Sequence, residues 1–143
     1  MSELIDDLYR EQLLDLAAEV KQMAPLVDFT SEVTKYNAVC GDKVLVQIKM
    51  NQLKIADVSV SVRGCVICAA SAGIMCYAVK NRSEKTVRVT IKNATRSIAD
   101  GKNSDDRNAE LDLLCTVSQF PNRVRCAMLA WEALDEAIGK NQL

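Results

Sequence analysis

Two runs of alternating residues constrain this chain more than anything else in it. In the first, Val44, Val46 and Ile48 alternate with Lys43, Leu45, Gln47 and Lys49; in the second, Val58, Val60 and Val62 alternate with serines and Arg63. Period two sends successive side chains to opposite faces, so each run reads as a strand with one buried face, and the turn near Asn51 makes the pair a hairpin. Antiparallel closure carries Cys40-Gly41-Asp42, ahead of the first strand, close to Gly64-Cys65, behind the second. From Cys65 to Val79 the residues are almost all apolar or small, among them Ala69, Ala70, Ser71, Ala72, Ile74, Met75 and Ala78. A helix apolar on every side is a buried helix. Cys65 falls on or beside its first turn, where the positive end of the helix dipole favours a thiolate.

The flanks read as helical. Ser2 is a candidate N-cap, and Ile5, Leu8, Leu13, Leu16, Ala17 and Val20 recur near helical spacing before Pro25. Phe120-Pro121 opens a terminal helix with proline in its tolerated position, and Gly139 is expected to end it. Along that helix Val124, Met128, Trp131 and Ile138 form one apolar stripe, and Cys126, Ala130, Ala133 and Ala137 a second, of small residues. Between Asn81 and Asp112 the β-branched residues of Thr86–Ile91 look strand-like, Ala94–Ile98 reads as helical, and Asp100–Asp106 as a polar loop. With 143 residues and 49% apolar composition, residues 1–143 are expected to form one domain.

Charge and residue choice exclude several functions. Eighteen Lys and Arg against nineteen Asp and Glu leave almost no net charge to recruit nucleic acid or an anionic membrane. No basic region leads an apolar run at the start and no stretch approaches a membrane span, so a cytoplasmic location is expected. With no histidine in the chain, Cys-His and Ser-His pairs and histidine ligands are ruled out. Six cysteines, Cys40, Cys65, Cys68, Cys76, Cys115 and Cys126, in a reducing compartment read as buried thiols, ligands or reactive groups rather than disulfides.

Three segments, Cys40-Gly41-Asp42, Gly64-Cys65 and Phe120-Pro121-x-Arg123-x-Arg125-Cys126, together resemble the cysteine motifs of the SufU/IscU/NifU proteins of iron–sulfur cluster assembly. The resemblance runs from Leu8-Tyr9-Arg10-Glu11 to the terminal helix. The absent histidine before Cys126 and the longer stretch between Cys65 and Cys126 resemble the SufU branch. The resemblance implies an α+β fold, a small antiparallel sheet of about three strands with helices packed on it, and a helical middle segment. It also implies a zinc site made by Cys40, Asp42, Cys65 and Cys126, with Cys40 accepting persulfide sulfur from a SufS-like cysteine desulfurase for delivery to iron–sulfur apoproteins. In that case the chain is a zinc-dependent sulfurtransferase, working as a monomer or weak oligomer. Three thiolates and a carboxylate suit tetrahedral Zn²⁺, and the same thiolates could instead hold a [2Fe–2S] cluster. Arg123 and Arg125 would add positive potential beside Cys126.

The chain departs from the family pattern at Ala38, where a proline is usual, and over Ala17–Pro25, where a His-Tyr then Pro-Arg-Asn pattern is usual. The second departure falls in a segment tied to desulfurase docking and supports an alternative, a non-catalytic zinc-stabilised interaction protein. Cys65 and Cys68 also form a C-x-x-C pair, which is open to two readings, a redox couple or a Cys68 that simply faces the core, and the second is favoured. Cys76 and Cys115 are expected to be buried thiols, and Met75 and Trp131 to be core.

Overall fold

A computed structural model describes residues 2–101 and 113–140, with side chains from residue 10 onward. The helix α1 (Ser2–Lys21) leads into the strands β1 (Ser31–Asn37), β2 (Asp42–Asn51) and β3 (Lys54–Arg63). These are followed by α2 (Val66–Val79), α3 (Glu84–Asp100), a 3-10 turn (Thr116–Gln119) and α4 (Pro121–Lys140). The expected α+β architecture is present: one antiparallel sheet in the order β1-β2-β3 with helices packed on it.

The hairpin has the expected register. Val46 pairs with Val60 and Ile48 with Val58, and Gln52 takes the left-handed φ of 60° in the turn that joins β2 to β3. Val44, Val46 and Ile48 are fully buried against α4, and β3 and α4 both pack on α2. On the opposite face the segment after α1 crosses the sheet. Leu26 N–H donates to Gln47 Oε1 at 2.9 Å, and Ser59 Oγ–H to the Ala24 carbonyl at 2.8 Å. Met23 Sδ accepts the Val60 N–H at 3.4 Å, which covers part of the open edge of β3. The strand β1 has no strong alternation of its own and was not located in the sequence. It pairs with β2 from Ser31↔Ile48 to Asn37↔Asp42.

One expectation needs correction. Thr86–Ile91 is helical throughout, because Ser83 Oγ caps α3 by accepting the Thr86 N–H, and Val87, Ile91, Ala94 and Ile98 line up at helical spacing on its buried face. That shared face outweighs the modest helix penalty of β-branched residues. Gly139 lies one residue inside the end of the terminal helix, which runs to Lys140. The helix α3 ends at Gly101, with φ 69° and its N–H on the Ser97 carbonyl; the rest of the polar loop lies outside the described residues, as do the side chains of Ile5 and Leu8 and the residue that caps α1.

The helix α2 is the buried one, with Cys68 through Cys76 and Val79 inside. It is fixed to α4 by a buried relay: Trp131 Nε1–H donates to Ser71 Oγ at 3.0 Å, and Ser71 Oγ–H donates to the Ala127 carbonyl at 2.7 Å. At the other end of α4, Ser31 Oγ–H donates to the Ala137 carbonyl at 2.7 Å, joining the helix to β1. Replacing Ser71 by Ala strands the buried indole N–H, which is expected to cost about 1–3 kcal/mol. Urea unfolding of S71A followed by the emission of Trp131, the sole tryptophan, measures the loss.

Candidate metal centre

The centre forms where β2 begins, β3 ends, and α2 and α4 start. Asn37 and Asp42 face each other across β1 and β2, so residues 38–41 make the short loop between the strands. Gly41 turns that loop with a φ of 76°, and its N–H donates to the Asn37 carbonyl at 2.8 Å. The Asn37 side chain tightens the loop, Oδ1 accepting the Val39 N–H at 3.2 Å. Cys40 is thereby held at an exposed position, while Asp42, one step into β2, is only 4% exposed.

Asp42 owes its place to Gly64. A Cβ on residue 64 would stand 2.6 Å from Asp42 Oδ1 and 2.7 Å from Cγ, so only glycine admits the carboxylate there. The next residue, Cys65, is the N-cap of α2. Its extended backbone (φ −73°, ψ 168°) lets Sγ accept the Cys68 N–H at 3.4 Å, a capping role that serine or aspartate usually fills. The Cys65 sulfur also lies 3.8 Å from Asp42 Oδ2. Cys126, in the second turn of α4, is fully buried and its sulfur stands 3.0 Å from that of Cys40.

The sequence grouped four ligands. Cys40, Asp42 and Cys126 place their donor atoms within 4.8 Å of one another, and Cys65 adjoins the group through Asp42. Burial, with hydrogen bonds to Asp42 and Cys40 and the nearby charges of Cys65 and Asp42, pushes the Cys126 thiol well above the ordinary cysteine range. Four acidic groups packed together favour a held proton at Cys126, and a bound cation relieves the same crowding. The donors, three sulfurs and one carboxylate, fit Zn²⁺ and equally the sulfur-rich environment of a cluster.

Arg125, paired with this site on sequence grounds, is exposed and places its Nη1 3.0 Å from Glu132 Oε1, and Arg123 is also exposed. Cys68 is buried beneath the site. Burial first, then the charges of Asp42, Cys65 and Cys40, push its thiol up to about 12. Cys76 is likewise pushed up to about 12, by burial. Cys115, expected to be buried, is partly buried. The contributions of Asn37 and Gly64 were missed. An Asn three residues ahead of a Cys-Gly turn, and a glycine between a strand and a buried helix, are the signals that mark them.

One family model, the NifU-like N terminal domain, matches residues 8–142. The chain belongs to this family. Among curated relatives of this NifU-like domain is the zinc-dependent sulfurtransferase SufU of Bacillus subtilis, 29% identical over 96% of this chain and 94% of that protein. Two iron–sulfur cluster assembly scaffold proteins named IscU also match. That of Streptococcus pyogenes is 31% identical over 80% of this chain and 73% of its own length, and that of Thermotoga maritima 30% identical over 93% and 94%. The SufU match supports the SufU branch. Crystal structures of FiSufU from Fervidobacterium islandicum AW-1 (TM-score 0.82, 23% identity, 90% of this chain and 94% of that one) and of a NifU-like protein from Brucella abortus (TM-score 0.84, 22% identity, 96% of each) share the fold.

Two outcomes follow from this geometry. Gly64→Ala should displace the Asp42 carboxylate and weaken zinc binding by about tenfold or more, read by chelator competition. Cys65→Ser and Cys65→Ala should both weaken binding, but they separate in the metal-free protein: serine keeps the cap of α2, whereas alanine is expected to be about 1 kcal/mol less stable in urea.

Proposed function

We propose that this NifU-like domain serves iron–sulfur cluster assembly as a zinc-bound sulfur acceptor for a cysteine desulfurase of the SufS type. Cys40 receives the sulfur, Cys40, Asp42, Cys65 and Cys126 hold the metal, and iron–sulfur apoproteins lie downstream. The observation that carries the reading is the asymmetry of the two paired sulfurs: Cys40 is exposed, whereas its neighbour at 3.0 Å, Cys126, is buried. Bound there, zinc supplies a positive charge that keeps these sulfurs deprotonated at neutral pH. The Cys40 thiolate attacks the outer sulfur of the donor's persulfide. The donor's sulfur–sulfur bond breaks, the donor cysteine leaves as a thiolate, and a new sulfur–sulfur bond remains on Cys40. Asp42, buried against Gly64, and Cys126 stay fixed during this exchange because their backbones belong to β2 and α4.

No described helix is long and apolar enough to cross a membrane. A second reading, a scaffold on which a [2Fe–2S] cluster forms, draws on the two scaffold relatives and on a donor set that is mostly sulfur. Metal content separates the two. Protein purified without added metal, alongside C40A, D42A, C65A and C126A, is analysed for zinc, iron and acid-labile sulfide. One zinc per chain with little iron, lost in the ligand variants, is the expected result. Iron with sulfide would favour the scaffold, and no metal in any of the proteins would remove the site.

A further inference from the structure

Asn37, which is not a ligand, touches the centre at three points. Its carbonyl accepts the Gly41 N–H at 2.8 Å, its Oδ1 accepts the Val39 N–H at 3.2 Å, and its Nδ2 lies 3.7 Å from the Cys126 sulfur. The side-chain orientation follows from these partners. With the amide oxygen on the Val39 N–H, the amide nitrogen faces the opposite way, towards Cys126. The residue is also the register partner of Asp42. One side chain thus shapes the loop that carries Cys40, faces the strand start that carries Asp42, and donates to the sulfur brought in by α4.

We propose that Asn37 is the positioning residue that sets the two paired sulfurs apart, quieting Cys126 through an N–H···S hydrogen bond while holding Cys40 forward on the loop. The inference rests on the metal-centre reading above and deepens it. An N–H donated to a thiolate draws electron density from sulfur and lowers its nucleophilicity, so a sulfur held in this way is the passive member of the pair. Among the described residues no N–H donor is found on the Cys40 sulfur, whose one hydrogen-bond neighbour is the sulfur of Cys126. Burial slows approach to Cys126, and the hydrogen bond additionally alters the sulfur itself. The size and the amide of Asn37 are both needed: aspartate has no N–H to give, and serine is long enough for the loop but too short for Cys126.

That difference in reach supplies the test. Full-length protein loaded with Co²⁺ reports on its sulfur ligands through the thiolate-to-metal charge-transfer bands, which move to lower energy when a thiolate loses a hydrogen bond. Asn37→Ser keeps an acceptor for the Val39 N–H and loses the donor to Cys126, whereas Asn37→Ala loses both. Both variants are expected to shift the bands to lower energy and to bind Zn²⁺ about tenfold more weakly. Only N37A is expected to change the rate at which iodoacetamide alkylates Cys40 in the metal-free protein, because only there does the loop lose its side-chain anchor. Bands at the wild-type energy in N37S would overturn the inference, as would equal alkylation of Cys40 in wild type and N37A. A wild-type protein with no thiolate charge-transfer intensity would instead overturn the metal centre itself and the inference along with it.

Discussion

The antiparallel register of β2 and β3 is the constraint on which the rest of the structure depends. Side chains alternate with a period of two, so a slip of one residue would turn Val44, Val46 and Ile48 from the core to the opposite face. Each of these side chains contributes about 1.5–3 kcal/mol by its burial, which makes the register effectively unique. Once it is set, Lys43 lies opposite Arg63 and Asp42 meets Gly64 with no further adjustment. The start of α2 follows one residue later, and Cys65 both starts that helix and faces Asp42.

The remaining sulfur comes from the far end of the chain and is positioned by different means. The inner face of α4 is rich in alanine, with Ala127, Ala130, Ala133 and Ala137 buried, and small residues permit close approach without selecting one rotation or height. Directional hydrogen bonds do the selecting. The Ser71 hydroxyl lies between the Trp131 indole and the Ala127 carbonyl, one residue past Cys126, while the Ser31 hydroxyl fixes the other end of the same helix at Ala137. Apolar burial supplies the stability of this arrangement, and two buried hydroxyls supply the placement that brings one sulfur within 3.0 Å of another.

The hairpin and the buried helix were legible in the sequence because a period of two, and the loss of any period, each leave few alternatives. Their closure alone located Cys40, Asp42 and Cys65 together. Cys126 could be joined to them only through resemblance, since nothing in local spacing says which face of a distant helix meets a loop. Residue preference alone misreads α3 over Thr86–Ile91, where the resemblance implied a helix, because that preference is weaker than a buried face whose partner is set by tertiary packing. The strand β1 escaped notice because it lies at an edge and alternates weakly. The positions of Gly64 and Asn37 beside the cysteine motifs were legible, but their roles were not: a missing atom and a bifunctional amide act only on neighbours that the fold brings in.

The centre joins residues 86 positions apart, Cys40 and Cys126, and the bond that steadies α4 on β1 spans 106. Contacts of such high order form late, because a long loop must close before they stabilise anything. During synthesis the loop, hairpin and buried helix emerge from the ribosome well before the terminal helix, so the nascent chain presents Cys40, Asp42 and Cys65 as an incomplete, open set. The proposed ligand set is therefore complete only once α4 has docked, and an ion held by all four residues would report that docking.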